Sequence, residues 1–279
     1  MKSVFDQVSF ECSKSVTRRY STSFSIATNM LAPSIRPAIH NIYGFVRFAD
    51  EIVDSFHGYE KEKLLLKFES DFYHALEFGI SLNPILNSFQ DTVHKYNIDL
   101  ELIDAFLHSM KMDLVKSDYD SVSDYSKYIY GSAEVVGLMC LKVFVNGDQE
   151  KYDELKESAM HLGAAFQKVN FLRDLKSDIE ILNRSYFPNL DLNNLDQANK
   201  EEIINEIEED FRRAFEGIVR LPSTSKFGVY TAYVYYKQLL NKLKATPSLK
   251  IMDKRIRVKN HVKFGLLIKS YALVKLNML

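Results

Sequence analysis

The sequence predicts an all-α protein. Only 10 glycines and 6 prolines occur among 279 residues, and they are scattered, too few to punctuate a many-turned sheet. No alternation of apolar and polar residues with period two persists, as half-buried strands would require. Hydrophobic residues make up 46% of the chain, enough to bury a sizeable core. No internal repeat, low-complexity tract or composition break interrupts this pattern, so residues 1–279 are expected to form a single catalytic-size domain.

A first helix is expected over about Ser3–Tyr20. A second, about Ile35–Ser55, opens around the Pro33 and Pro37 punctuation. Further helices are expected over about Lys61–Phe78, Ile85–Tyr96, Leu100–Leu114, Ser121–Asn146 and Asp148–Leu182. The polar stretch Asn183–Lys200 is the one long candidate loop. Helices at about Glu201–Arg220, Phe227–Lys244 and His261–Leu276 complete the order.

Several classes are excluded early. Cys12 and Cys140 are too few for a disulfide framework and lack metal-ligand spacing, which fits ordinary thiols in a reducing compartment. The opening MKSVFDQVSFECSKS has no apolar core of a signal peptide. No run of eighteen apolar residues occurs, so no transmembrane span or C-terminal anchor is expected. These features point to a cytoplasmic protein. The net charge of −1 hides a basic C-terminal region: from Lys237 to Leu279 eleven Lys or Arg face one acid, Asp253. No nucleic-acid motif accompanies it, so nucleic acid is not an expected partner. The final segment, His261–Leu279, mixes apolar residues with spaced lysines. It suits either a helix lying on the inner face of a membrane or one docked on the core with its lysines in water.

Two stretches carry aspartates four residues apart. In the first, Tyr43, Arg47, Asp50 and Asp54 share one helix face, with Ile42, Phe45, Val46, Ala49, Ile52 and Val53 opposite. Taken alone, this is compatible with a solvated face of an amphipathic helix. The second is longer: Gln167, Asn170, Asp174 and Asp178 recur at steps of three, four and four. Around them lie Leu162, Phe166, Val169, Phe171, Leu172, Leu175 and Ile179. Repelling carboxylates in apolar surroundings need partners, and divalent cations supply them. Two such stripes on facing helices would form an acidic pocket.

The chain resembles the squalene and phytoene synthases, the head-to-head prenyltransferases. Five blocks carry the resemblance in the expected order. They are Ser21-Thr22-Ser23-Phe24, Arg47 to Asp54, the helix Tyr128-Ile129-Tyr130-Gly131-Ser132-Ala133-Glu134-Val135-Val136-Gly137, the string Gln167-x-x-Asn170-x-x-Arg173-Asp174-x-x-x-Asp178, and Asn183-Arg184-Ser185-Tyr186-Phe187-Pro188. Glu134, where a small residue is expected, and Gly131, where a larger one is common, are the departures. The run Ile42 to Asp54 is most similar to bacterial phytoene synthases of carotenoid pathways.

The resemblance implies an isoprenoid-synthase-type helical bundle around a central apolar cavity. It implies Mg2+, with Mn2+ as a substitute, held by Asp50, Asp54, Asn170, Asp174 and Asp178. Diphosphate contacts are implied for Ser21, Ser23, Arg47, Gln167, Arg173, Tyr236, Arg184 and Tyr186, with Tyr43, Tyr128 and Tyr236 lining the reacting centre. The implied reaction joins two geranylgeranyl diphosphates through a cyclopropyl diphosphate to phytoene, with no NADPH. A squalene or dehydrosqualene synthase acting on farnesyl diphosphate shares every motif, and squalene formation would need NADPH. A non-catalytic assembly factor of the same family is the remote alternative, disfavoured because such relatives lose the aspartates kept here.

Overall fold

The computed structural model describes residues 2–115, 121–180, 184, 186–188, 195–253, 255–276 and 278. Thirteen α-helices run through the described residues: α1 (Lys2–Tyr20), α2 (Thr22–Asn29), α3 (Arg36–Ser55), α4 (Lys61–Phe78), α5 (Pro84–Tyr96), α6 (Leu100–Val115), α7 (Val122–Ile129), α8 (Val135–Phe144), α9 (Gln149–Glu180), α10 (Gln197–Ile218), α11 (Ser223–Lys244), α12 (Ser248–Asp253) and α13 (Asn260–Lys275). A π-helical turn, Tyr130–Glu134, joins α7 to α8. No strand occurs among the described residues, and no helix there is long and apolar enough to cross a membrane.

The sequence expectation places most elements within a few residues. Two short helices, α2 and α12, are additions. Ser21 starts α2 by accepting the Phe24 backbone N–H at 3.2 Å, a cap whose signal is a single hydroxyl. The candidate loop is also shorter than expected, because Asp196 caps α10 by accepting the Asn199 N–H at 2.7 Å. Asn183 and Ser185 lie outside the described residues. The single expected helix over about Ser121–Asn146 is broken into α7, the π-turn and α8.

Two apolar clusters hold the bundle. In the first, Phe45 on α3 is fully buried and meets the rings of Phe68, Phe72, Phe89 and Phe106 at centroid distances of 5.3, 5.2, 4.1 and 5.9 Å. Aromatic pairs at such separations add to the stabilisation from burial, so the middle of α3 is pinned to α4, α5 and α6. The second cluster surrounds α9, where Val169, Phe171, Leu172 and Leu175 pack with Tyr186, Ile204, Phe211 and Leu240. Gly163 lets α9 approach the π-turn: a Cβ there would lie 2.5 Å from the Ala133 carbonyl oxygen. Gly137 does the same from α8, where a Cβ would stand 2.7 Å from the Ala159 carbonyl.

Candidate functional site

The spacing of four turns the polar residues of α3 and α9 into two stripes, and the bundle sets them across one cleft. Each carboxylate acquires its neighbours from different elements. On α3, the Arg47 guanidinium donates to both Asp50 and Glu51 and lies over the Tyr20 ring at 4.5 Å. On α9, Arg173 Nε donates to Asp174 at 2.9 Å, and Arg255 Nε lies 2.7 Å from Asp174 Oδ1.

Arg184 links the two walls. Its Nη1 donates to Asp54 at 2.7 Å, and its backbone N–H donates to the Asp178 carbonyl at 2.9 Å. Its Nη2 also donates to the Asp113 carbonyl at 2.9 Å. Asp113, buried on α6, accepts the Tyr128 hydroxyl at 2.7 Å. Arg184, Asp113 and Tyr128 thus form a buried chain leading from the partly exposed Asp54, in which each charge faces an opposite or hydrogen-bonding group.

The carboxylates remain electrostatically crowded. Burial, then Asp54, pushes the Asp50 carboxyl up to about 7, against the opposing pull of Arg47. Burial, then Asp174 and Asp54, likewise pushes Asp178 up to about 7. Asp54 acts on both walls, which places them within electrostatic reach of one another. Among the described residues the Asp178 side chain has no ion-pair partner. A cleft of this kind accommodates additional positive charge.

Beside the stripes lies an apolar cavity of about 280 Å3. Phe24, Leu31, Val46, Val136, Leu162 and Phe166 line it, with Tyr43, Gln167 and Tyr236. The last three join cavity to stripe: Tyr43 and Gln167 stand on the aspartate-bearing helices, and the Tyr236 hydroxyl reaches Asn170 Oδ1 at 3.4 Å. Tyr43 stacks on Phe24 at 4.9 Å and Tyr236 on Phe166 at 4.0 Å. Burial pushes the Tyr43 hydroxyl up to about 12, so it stays protonated near neutrality. Cys140 also lines the cavity, its thiol pushed up to about 12 by burial.

The sequence-derived residues fall into three groups. Asp50, Asp54, Arg47, Asn170, Arg173, Asp174, Asp178, Gln167, Tyr43 and Tyr236 meet at the cleft and the cavity beside it. Tyr128 and Tyr186 are only 3% and 6% exposed and do not line the cavity. Their rings stack on each other at 5.2 Å, and Tyr186 stacks on Phe171 at 3.9 Å. They support the site from below. The Ser21 oxygen accepts the cap hydrogen bond of α2, leaving its hydroxyl able to donate, and Ser23 lies half-buried in the first turn of that helix. Asp113 and Arg255 are additions that sequence reasoning missed. Arg255 carried a weak signal as part of the basic C-terminal region, and Asp113 carried none.

The oxygen donors on both walls suit a hard divalent cation. Among the described residues no three Asp, Glu, His or Cys side chains converge as a closed metal cage. Magnesium does not require one, because it keeps waters and takes phosphate oxygens alongside one or two carboxylates. The donor chemistry and the crowding at Asp50 and Asp178 therefore fit such an ion.

The fold and this cleft define an isoprenoid-synthase-type protein: a helical bundle with two aspartate-bearing helices beside an apolar cavity. Residues 17–261 match the squalene/phytoene synthase family, and the chain belongs to it. It is 27% identical over 247 residues to phytoene synthase 3 of Zea mays, covering 82% of this chain and 58% of that relative. To the phytoene synthase of Arthrospira platensis it is 26% identical over 260 residues, covering 84% of each. It thus spans less than two thirds of the maize protein's length. Its fold is similar to that of a dehydrosqualene synthase (TM-score 0.84, 20% identity, 97% of this chain and 98% of the other). A squalene synthase from Alicyclobacillus acidocaldarius gives a TM-score of 0.75 at 20% identity, covering 88% and 97%.

Proposed function

We propose that this chain joins two molecules of geranylgeranyl diphosphate head to head, releasing diphosphate and forming phytoene through a cyclopropyl (prephytoene) diphosphate. The observation that carries the reading is the pair of facing carboxylate stripes beside an apolar cavity. The kinship with phytoene synthases supports the C20 substrate.

Ionisation of an allylic diphosphate breaks a C–O bond and leaves a cation and an anion that must be held apart. Asp50, Asp54, Asn170, Asp174 and Asp178 would hold magnesium, which would supply positive charge against the departing diphosphate. Arg47, Arg173 and Arg255 stand at the carboxylates and supply hydrogen bonds to its oxygens, with Gln167, Tyr236, Ser21 and Ser23 as further polar contacts. Arg184 and Tyr186 act from beneath the cleft, holding Asp54 in place.

The apolar cavity excludes water, which would otherwise trap the cation as an alcohol. The rings of Tyr43, Phe24, Phe166 and Tyr236 face this space and stabilise positive charge. The double bond of the second chain attacks the allylic cation, and proton loss closes the cyclopropane. Departure of the second diphosphate, rearrangement and a further proton loss give phytoene. No hydride is consumed, so no NADPH is required.

Incubating the protein with Mg2+ and either geranylgeranyl or farnesyl diphosphate, with and without NADPH, tests the reading. Phytoene from the longer substrate without NADPH is the expected product. Squalene formed from farnesyl diphosphate only with NADPH contradicts it.

A further inference from the structure

The C-terminal helix α13 has two apolar sides. Its inner side, with Leu273 and Val274, packs against the first core cluster, and Ser270 is buried there. A helix docked in this way ordinarily turns a polar face outward. Here the outer face carries Phe264, Ile268 and Tyr271, exposed by 64%, 56% and 55%. Steps of four and three put these on one ridge, which Lys275 continues four residues later. Lys275 is exposed in line with the ridge and Lys269 is exposed about a third of a turn round the helix from it, and Leu276 extends the apolar surface on that same side with 66% exposure.

Charge selects what this face meets. From Arg255 to Leu276 the sequence contains six Lys or Arg and no Asp or Glu. A second copy of the chain docked through the same face about a two-fold axis would bring these cations against their own counterparts. An anionic lipid surface instead offers acyl chains to the ridge and phosphates to the lysines. Location supports the same choice. Tyr271 meets Phe227 of α11 edge-on at 5.6 Å, and the next residues of that helix, Gly228, Val229 and Ala232, line the apolar cavity. The ridge is therefore one helix away from the space assigned to the prenyl chain.

We propose that the outer face of α13, the ridge Phe264–Ile268–Tyr271 with Lys269 and Lys275, docks this protein on an anionic membrane surface beside the entrance for a lipid-borne substrate. The entrance role rests on the proposed function. Docking itself does not, because its readout is lipid partition rather than turnover.

The chain contains no tryptophan, so Phe264→Trp installs a single fluorescent reporter in the ridge. With vesicles of phosphatidylcholine containing about 30% phosphatidylglycerol, its emission is expected to shift to the blue. Phosphatidylcholine alone should leave it unchanged, and salt should reverse the shift. Removing the two charges as Lys269→Gln/Lys275→Gln weakens co-sedimentation by roughly an order of magnitude. Phe264→Ser/Ile268→Ser abolishes it while leaving turnover of detergent-dispersed substrate and the circular-dichroism melt unchanged. Binding that ignores lipid charge, or that survives both double substitutions, overturns the proposal. So does self-association in light scattering that Phe264→Ser/Ile268→Ser dissolves.

Discussion

The two carboxylate walls look alike in sequence and are built differently. The α3 wall rises from a core of aromatic rings, with Phe45 enclosed by four other phenylalanines. Its counter-charge Arg184 is 7% exposed and ties Asp54 to Asp113. The α9 wall is answered by Arg255, whose side chain is 50% exposed and which comes from the C-terminal region. Beyond the local pairs Arg47–Asp50 and Arg173–Asp174, one wall thus has an interior, structural counter-ion and the other a surface one. The contrast suggests a division of labour: the first wall fixes geometry, and the second has a guanidinium that can turn from its carboxylate to a ligand.

The largest expected effect treats the walls as equals. Asp50→Asn and Asp178→Asn should each lower kcat/KM by about 1,000-fold or more, because each would remove a donor from the proposed charge-neutralising cluster. Neither unfolds the protein. Thermal melting should show an unchanged or slightly raised Tm, because each substitution relieves like-charge crowding in the resting protein. A fall in Tm that parallels the loss of turnover would remove the functional reading of these carboxylates.

The next separates the walls. Arg184→Leu removes the buried positive charge that Asp54 and Asp113 face and should destabilise by about 3–5 kcal/mol. For a chain of this size that lowers Tm by roughly 6–20 °C. Arg255→Ala should leave Tm nearly unchanged and raise KM for the prenyl diphosphate by about 5- to 20-fold. Equal destabilisation by both would erase the difference between an interior and a surface counter-ion.

A smaller effect concerns pH. The Asp50 and Asp178 carboxyls are raised to about 7 from an ordinary value near 4. The folded protein therefore binds protons that the unfolded chain releases, and without metal it loses stability as pH rises from about 4 through 7. Metal binding requires both carboxylates deprotonated. The rise in Tm on adding Mg2+ and inorganic diphosphate should then be larger at pH 8 than at pH 6. An equal rise at both values contradicts the crowding at these two groups.

The local part of this architecture was legible in the sequence. Spacings of three and four put Gln167, Asn170, Asp174 and Asp178 on one side of one helix, because helical geometry converts sequence distance directly into direction. The partners were not legible in that way. Arg184 meets Asp54 across 130 positions, and Arg255 meets Asp174 across 81, and no periodicity encodes such pairs. Tyr128 and Tyr186 belonged to recognised blocks, yet nothing in their spacing showed that they would face Asp113 and Arg184 rather than the cavity. The cap at Ser21 rests on one hydroxyl, and α2 was missed for that reason. The two-sided apolar character of α13 became decisive only once its inner face was seen to be covered.

Whether the walls form one site is tested most directly by calorimetric titration of geranylgeranyl thiodiphosphate, which binds without ionising readily. The protein should bind it tightly with Mg2+ and weakly without. Asp50→Asn, Asp178→Asn and the double variant should all lose most of that Mg2+-dependent affinity, the double little more than either single, because residues acting as a unit are not additive. Fully additive losses, or Mg2+-dependent binding kept intact when either wall is altered, would show that α3 and α9 do not share one metal–diphosphate site.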